Sequence, residues 1–258
     1  MIPKKIHYCW FGRGAKPELA VKCIESWEKF CPDYEIIEWN EDNFDINCNL
    51  YVKEAYDAKK YAFVSDYVRL YAMYTYGGIY MDTDVEVLKP LDEFLWHEAL
   101  SGFENSSQIL TGLMACREGF PLFGELLEYY DTAKFINSDG TLNTTTNVVT
   151  ITEKMLKRGF VPNGQYQIVE GFALYPQNVF CPEHSKLSDP EYMKDTATIH
   201  FFAGSWKSPE QRKREGSWWW RHIIVPMSVL SHKIEKVGGK PYKWLKSAIW
   251  ESRLKEKT

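Results

Sequence analysis

A short apolar segment that ends in two closely spaced aspartates constrains this chain more than any other feature. Residues 76–84 read Tyr-Gly-Gly-Ile-Tyr-Met-Asp-Thr-Asp. Because residues i and i+2 of a strand face the same side, Asp82 and Asp84 are predicted to point together from the strand's end. Carboxylates this close repel each other unless positive charge lies between them. A hard divalent cation such as Mn²⁺ or Mg²⁺, which takes oxygen ligands and shares them with substrate phosphates, would fill that place.

The same Asp-x-Asp spacing also occurs by chance on solvated loops, so the surrounding sequence has to decide between the two interpretations. Apolar residues precede this pair, and Val85, Val87 and Leu88 follow it. Two acids inside an apolar run are expensive to bury without a partner, and the context therefore favours a metal site.

The bulk composition is that of a globular protein with many aromatic residues. A length of 258 residues suits one domain. Aromatic residues make up 16% of the chain and include ten Trp, which can stack on sugar rings and bases but also fill cores and interfaces. The six cysteines form no Cys-x-x-Cys pair, so we expect mostly buried thiols in a reducing cytoplasm rather than a zinc site or a disulfide framework.

Hydropathy predicts a cytoplasmic protein that is at most peripheral on the inner face of the cytoplasmic membrane. No apolar run approaches the ~20 residues that span a bilayer. The sequence enters a strand-like segment at residue 2, without the apolar core of a signal peptide.

The charge of the chain is uneven. The net charge is −4, yet the residues from Ser205 onward hold thirteen Lys and Arg against five Asp and Glu. This basic stretch also contains six of the ten tryptophans, a combination that suits an anionic membrane surface, nucleic acid or a solvated amphipathic helix. We expect a helical extension packed on the body of the protein, with peripheral membrane contact as the alternative, and no nucleic-acid partner.

Strand-like and helix-like patterns alternate along the first two hundred residues. Strands are predicted at residues 2–10, 34–39, 78–81, 99–103, 109–115 and 197–202, and helices at 17–30, 52–60, 64–76, 121–130 and 148–158. This alternation predicts one α/β domain with a largely parallel sheet, over residues 1–208, followed by the helical extension at 209–258. Ligands of such sheets bind at the carboxyl ends of the strands, which is where Trp10 and Asp82 fall.

Two further groups of residues can serve a metal-bound diphosphate sugar. Ser65, Asp66 and Arg69 share one helical face, either as an ordinary intrahelical ion pair or as ligands of sugar hydroxyls. His200 follows a short strand and can add an imidazole ligand to the aspartates, although a lone histidine is more often structural. Trp206 and Lys207 offer donors to a diphosphate.

Together these residues resemble glycosyltransferase family 32, the group of Asp-x-Asp sugar transferases that includes yeast initiating mannosyltransferases and bacterial capsule enzymes. The sugar-binding part is also similar to the glucosyltransferase domain of large clostridial toxins. The resemblance rests on the opening Ile-Pro-Lys-Lys-Ile-His-Tyr-Cys-Trp-Phe-Gly, on Ala62, Ser65, Asp66 and Arg69, on residues 77–84, and on His200 with Ser205 and Trp206. These matches run in family order from residue 2 to about 207.

The resemblance implies a GT-A fold, a nucleotide-sugar donor, a divalent metal (Mn²⁺ or Mg²⁺) and retention of the anomeric configuration. It places Trp10 on the nucleotide base, Asp66 and Arg69 on the donor sugar and ribose, and Ser205 and Trp206 on the diphosphate. It assigns the metal to Asp84, Asp82 and His200. The yeast members carry an N-terminal anchor that is missing here, so we expect a bacterial-type enzyme of surface or capsular polysaccharide synthesis.

The predicted reaction moves a hexose from a nucleotide-sugar, with UDP favoured over GDP, to a hydroxyl of a glycan or lipid-linked saccharide. Glu104 is the candidate for a carboxylate nucleophile, and same-face attack without any protein nucleophile is an equal alternative. Asn147 is predicted to line the acceptor side. Two other functions are weighed against this one. A haloacid-dehalogenase-like phosphatase also uses Asp-x-Asp after a strand, but it normally carries Thr or Val where this chain has Glu86. A non-catalytic carbohydrate-binding protein explains the aromatic residues but not the metal set.

Overall fold

The structure is a computed structural model that describes residues 1–204. Residues 205–258, which hold the predicted helical extension, lie outside the described residues. Within residues 1–204 no helix is long and apolar enough to cross a membrane. All six cysteines are free thiols, and all but Cys48 are buried, in agreement with the expectation from their spacing.

Strands and helices alternate through most of the described chain. The strands are β1 Lys5–Cys9, β2 Glu35–Trp39, β3 Gly78–Met81, β4 Val85–Val87, β5 Ala99–Gly102, β6 Leu113–Cys116, β7 Gln167–Val169, β8 Phe172–Tyr175 and β9 Thr198–His200. The helices are α1 Glu18–Phe30, α2 Leu50–Asp57, α3 Tyr61–Tyr76, α4 Pro121–Thr132, α5 Asn147–Leu156, α6 Gln177–Phe180 and α7 Pro190–Met193. Single 3-10 turns occur at Asp92–Phe94 and His184–Lys186.

Local sequence explains where the main helices begin and end. α1 starts directly after Pro17. Proline is tolerated at the start of a helix because backbone N–H groups there have no acceptor within the helix, so the N–H that proline lacks is not needed. The Asn49 side chain accepts a hydrogen bond from Val52 N–H and caps α2. α3 ends at Gly77, whose φ of 60° lies in the left-handed region that glycine adopts most readily.

Seven strands form the central sheet in the order β2-β1-β3-β6-β5-β8-β7. β2, β1 and β3 pair in parallel, β6 runs antiparallel to both β3 and β5, and β5 pairs in parallel with β8. β7 runs antiparallel to β8 at the edge. Five of the seven strands therefore point the same way, and the segments that follow β1, β2, β3 and β5 meet at one edge of the sheet.

Apolar side chains cover both faces of this sheet. Along β1, His7 and Cys9 alternate with Ile6 and Tyr8 between the two sides. One core packs the sheet against α3, α4 and α5, with Phe63, Met73 and Phe123 among its members. The other packs it against α1 and α6 around Trp27 and Phe180.

The sequence patterns predicted most of these elements but missed three short strands. β4, β7 and β8 contain three or four residues each, too few for a period-2 pattern to stand out from loop sequence. The predicted strand at 109–115 is shorter than expected and begins at Leu113: Ile109 forms only an isolated bridge with Phe103, and the chain bends at residues 111–112. β4 matters for function, since it pairs with β9 in a separate two-stranded sheet.

At Gly77 and Gly78, the step from α3 to β3, the surrounding atoms leave no space for a side chain. A Cβ on Gly78, whose φ is 106°, would lie 2.8 Å from the carbonyl oxygen of Lys5. The buried His7 reinforces the step: its Nδ1 accepts from Trp39 Nε1 (3.2 Å), which leaves Nε2 to donate to the Gly77 carbonyl (2.8 Å). Burial lowers the pKa of His7 and keeps the ring neutral, as this bonding requires.

Gly78→Ala is therefore expected to destabilise the fold through both backbone strain and a clash. Gly140→Ala is the matched control, because Gly140 has a φ of 81° but nothing within 4 Å of the added Cβ. Strain alone costs roughly 1–2 kcal/mol, and the clash with β1 is expected to add roughly 1–3 kcal/mol. Urea unfolding measures both; equal losses in the two variants would contradict the close packing of β3 on β1.

Candidate active site

The carboxyl end of β3 delivers the aspartate pair into a tight turn. Asp82 N–H donates to the Gly112 carbonyl (2.8 Å), and Val85 N–H donates to the Asp82 carbonyl (3.0 Å). The chain then enters β4, whose pairing with β9 sets Val85 opposite His200. The two-stranded sheet thus brings a histidine from the far end of the described chain to the aspartates.

Asp82, Asp84 and His200 each present one ligand atom within 4.8 Å of the others. His200 Nδ1 is buried and has no hydrogen-bond partner in the described structure. A Cβ on Gly112 would lie 3.0 Å from His200 Nδ1 and 3.2 Å from Asp82 Oδ2, so the glycine keeps this space clear. Two carboxylates and an imidazole are a donor set that Mn²⁺ or Mg²⁺ accepts, and the residues fit a divalent ion.

His200 and Asp84 also form an ion pair, with Nε2 3.2 Å from Oδ1. Burial opposes charge on His200, but the hydrogen bond and charge of Asp84 outweigh it and raise the His200 pKa to about 10. Burial likewise opposes charge on Asp84, yet His200 and the Ala203 N–H hold its pKa below the ordinary value. Because a ligating histidine is neutral, an ion that binds here must displace the His200 proton.

Arg69 of α3 is the buried cation of the site. Its guanidinium lies 3.2 Å from Asp82 Oδ1 and 3.4 Å from Asp66 Oδ1, and it donates to the Thr111 carbonyl (2.9 Å). Burial opposes its charge, but Asp82 and the other anionic groups raise its pKa above the ordinary value. The Tyr80 ring lies 4.6 Å from the guanidinium carbon, and its hydroxyl donates to Asp82 Oδ1 (2.9 Å). Arg69 therefore stays charged and fixes Asp82.

The first turns of α3 carry the predicted sugar-binding face to this edge. Asp66 is buried, and burial raises its pKa to about 6 although Arg69 acts against the shift. The half-buried Ser65 donates its hydroxyl to the Tyr61 carbonyl (3.0 Å), and its own carbonyl accepts from Arg69 Nε (3.3 Å). The structure thus brings Ser65, Asp66 and Arg69 together beside the aspartate pair.

Asn147 lies behind this face rather than in the open. Its side chain is only 2% exposed. Its Nδ2 donates to the Asp66 carbonyl (2.6 Å), and its Oδ1 accepts from the Tyr130 hydroxyl (2.8 Å). The position predicted on the acceptor side is therefore occupied by a residue that braces the backbone of α3.

Glu104 follows β5 at the same edge. Burial raises the pKa of its carboxyl, while the charges of His200 and Arg69 lower it and that of Asp82 raises it, which places the group within electrostatic range of all three. Its N–H donates to the Gln108 carbonyl (2.9 Å) and closes a short loop. Glu104 is thus a fourth acid in the site.

Four carboxylates converge here, on Asp66, Asp82, Asp84 and Glu104, and the principal cations acting on them within residues 1–204 are Arg69 and His200. Fully ionised, this set carries two negative charges more than positive ones. A divalent cation would balance that excess. Burial is the main cause of the raised pKa values of Asp66 and Glu104, and the charge of Asp82 adds to it.

Trp10 lies one strand away from the aspartates, at the end of β1. It is half-buried, and its Nε1 donates to the Gly14 carbonyl (2.7 Å). It lines a cleft of about 250 Å³ together with Arg13, Lys16 and residues at the end of β2 and just after it, such as Glu38 and Asn40. This polar cleft with an aromatic wall is where the predicted base-stacking residue is found.

Three of the predicted donor-binding residues, Ser205, Trp206 and Lys207, lie outside the described residues. Sequence reasoning missed Tyr80, Thr111 and Gly112. The i, i+2 rule that paired Asp82 with Asp84 also puts Tyr80 on the side of Asp82 and could have found it. Thr111 contributes only a backbone carbonyl and Gly112 only an absence of side chain, neither of which leaves a sequence signal.

Residues 17–101 match the family described as the glycosyltransferase sugar-binding region containing a DXD motif. This part of the chain is similar to the sugar-binding region of the DXD glycosyltransferases. This match spans α1 to most of β5 and includes Asp66, Arg69, Asp82 and Asp84, so the expected family resemblance is confirmed. The expected α/β architecture with a mostly parallel central sheet is confirmed as well.

Two similar fungal proteins are mannosyltransferases. The chain is 32% identical to inositol phosphoceramide mannosyltransferase 3 of Schizosaccharomyces pombe over 46% of this chain and 35% of that protein. It is 27% identical to the initiation-specific alpha-1,6-mannosyltransferase of Candida albicans over 44% of this chain and 32% of that protein. The chain thus spans about a third of the length of these curated relatives.

Similar solved structures are glycosyltransferases as well. PaToxG glycosyltransferase is 18% identical, with a TM-score of 0.42 over 49% of this chain and 59% of its own. The galactosyltransferase LgtC in complex with donor and acceptor sugar analogues is 15% identical, with a TM-score of 0.38 over 78% of this chain and 87% of its own.

The raised pKa of Asp66 predicts that Asp66→Asn stabilises the protein near neutral pH. The folded state holds the Asp66 proton up to about pH 6, whereas the unfolded chain releases it near the ordinary aspartate pKa of 3.8. The favourable contribution of the protonated group is therefore present below pH 4 and lost as the pH rises through 6. Between pH 4 and pH 7 the variant should gain on the order of 1–3 kcal/mol relative to wild type.

Urea unfolding across this pH range measures the gain. Asp139→Asn is the control, because hydrogen bonds from Thr141 lower the pKa of the exposed Asp139 and predict no such upward trend. A difference between Asp66→Asn and wild type that does not change with pH would contradict the buried ionisation.

Proposed function

We propose that this protein is a metal-dependent, retaining glycosyltransferase that moves a hexose from a nucleotide-sugar to a hydroxyl of a glycan or lipid-linked saccharide. One observation carries the proposal: Asp82, Asp84 and His200 meet beside the buried Asp66–Arg69 pair, and four of these five residues lie in the DXD sugar-binding region. A site for a divalent ion next to a carboxylate that can accept sugar hydroxyls is what a nucleotide diphosphate sugar requires.

Different residues act on the nucleotide diphosphate and on the sugar of the donor. A bound divalent ion would neutralise the charge that develops on the departing diphosphate. Arg69 fixes Asp82 from the protein side, so that this carboxylate can hold the ion or the ribose. Asp66 pairs with the guanidinium of Arg69 and orients the donor sugar by accepting hydrogen bonds from the sugar hydroxyl groups.

The anomeric C–O bond breaks with oxocarbenium character, as it does in glycoside hydrolysis, and the acceptor hydroxyl attacks from the same face. Glu104 is the carboxylate placed at this edge for a two-step route through a covalent sugar intermediate. Attack on the same face without a protein nucleophile is the alternative, and it leaves Glu104 to accept the proton of the acceptor hydroxyl.

The finer features of the proposal come from the sequence and the relatives. We propose Mn²⁺ as the ion, because an imidazole ligand suits it better than Mg²⁺. The family resemblance supports a role in bacterial surface or capsular polysaccharide synthesis at the cytoplasmic face of the membrane. The names of two relatives add mannose to the sugars to be tested.

Asp84→Asn is expected to abolish metal-dependent sugar transfer and leave the fold intact, because the amide keeps the shape of the side chain but not its charge. Transfer from a nucleotide-sugar is measured with saturating Mn²⁺, and circular dichroism checks the fold. Asp57→Asn, at an exposed ion pair of α2, is the control and should keep wild-type activity. Normal turnover of Asp84→Asn would contradict the proposed metal-dependent transfer.

Release of products from two kinds of substrate separates this proposal from its rivals. A transferase without acceptor commonly releases nucleotide diphosphate and free sugar from a nucleotide-sugar, and here this release should require Mn²⁺. A phosphatase would instead release inorganic phosphate from phosphate esters, and a carbohydrate-binding protein would release neither.

A thermal-shift screen over UDP- and GDP-sugars with Mn²⁺ is expected to identify the donor, with UDP favoured by the resemblance to the toxin domains. A ligand at 100 times its Kd stabilises the folded state by about 2.7 kcal/mol, enough for a shift of several degrees. Trp10→Ala should remove the shift given by the nucleotide and keep the shift given by Mn²⁺ alone. A full nucleotide shift in Trp10→Ala would show that the base binds elsewhere.

A further inference from the structure

Phe202 adopts a backbone conformation that a large side chain rarely takes. Its φ is 52°, in the left-handed region, and it is the one bulky apolar residue among the four non-glycine residues of the described chain with positive φ. Its side chain is 48% exposed, so burial of the ring does not by itself explain the strain. Strained residues of this kind persist where their surroundings fix them, and they cluster at functional sites.

The left-handed turn directs two backbone groups at one aspartate. Phe201 N–H donates to the Asp84 carbonyl (2.9 Å), and Ala203 N–H donates to Asp84 Oδ2 (2.8 Å). The residues on either side of Phe202 therefore hold both the main chain and the carboxylate of Asp84. With Oδ2 held in this way, Oδ1 is the oxygen that faces His200.

The ring of Phe202 acts on the other ligand. It stacks on the His200 imidazole with ring centroids 4.1 Å apart and planes 30° apart. The backbone carbonyl of His200 is held in turn by His184 Nε2 (2.8 Å). The plane of the imidazole is thus set by a stacked hydrocarbon ring that cannot itself bind an ion.

We propose that Phe202 is the positioning residue of the metal site, and that it aligns Asp84 through the Ala203 N–H and His200 through its ring. The inference rests on the proposed metal-dependent function. Ligands whose orientation is fixed in advance lose less conformational freedom when an ion binds, so groups that only orient the ligands still raise metal affinity.

The test is Mn²⁺ binding to the full-length chain, measured by calorimetry and by the electron paramagnetic resonance spectrum of bound Mn²⁺. Phe202→Ala removes the ring and keeps the backbone strain, and it should weaken binding roughly 10- to 100-fold. Phe202→Gly removes the ring and relieves the strain, so it should lose less affinity than Phe202→Ala. Phe202→Tyr keeps the ring and should bind as wild type does.

Glu170→Ala is the matched control, because Glu170 also has positive φ, 48°, and lies on the β7–β8 turn. It should leave Mn²⁺ affinity unchanged even if the melting temperature in EDTA falls. A purely structural role of Phe202 would lower that melting temperature in Phe202→Ala without changing the affinity or the spectrum. If Phe202→Ala does not fold, Phe202→Gly tests the ring alone, with a severalfold loss of affinity expected.

The outcomes separate this inference from the function on which it rests. Wild-type binding together with unchanged affinity and spectrum in the folded Phe202 variants would overturn the positioning role alone. Failure of the wild-type protein to bind Mn²⁺ would overturn the metal-dependent function and the positioning role with it.

Discussion

Repulsion among carboxylates is the constraint on which the rest of the site depends. Asp66, Asp82, Asp84 and Glu104 converge on one edge of the sheet, partly removed from water, where each charge is costly unless another group compensates it. Arg69 serves two of them from inside the protein, and it can do so because a guanidinium stays charged when buried. The turn after β3, the burial of Tyr80 and the pairing of β4 with β9 all place groups that offset this charge.

The fold that carries these groups follows largely from local sequence. The strand-like segment of β1, the apolar run of β3 and the glycine at the end of α3 are short-range signals, and the structure agrees with them to within a few residues. β4 gave no such signal because three residues hold too little pattern. Its identity as a strand depends on β9, which contributes the partner from the end of the described chain.

The site was predictable where side chains act and hidden where the backbone acts. The spacing of Asp82 and Asp84 was sufficient to predict a metal ion between them. The helical spacing of Asp66 and Arg69 was sufficient to predict that these two side chains share one face of α3. The Thr111 carbonyl that receives Arg69 carries no residue preference. Asn147 was predicted to line the acceptor side, but the Tyr130 hydroxyl and the Asp66 carbonyl satisfy its amide in the core.

The pairing of β4 with β9 also has a thermodynamic side. Its three residue pairs join segments that are far apart in the chain. Closing the long loop between them lowers the entropy of the chain, and the energy of the contacts is gained only once the strands have paired. Residues on both sides of that junction can bind an ion together only when β4 and β9 are paired. Occupancy of the site and closure of the chain are therefore linked equilibria, and the apparent stability of this corner of the protein should rise with the concentration of its ligand.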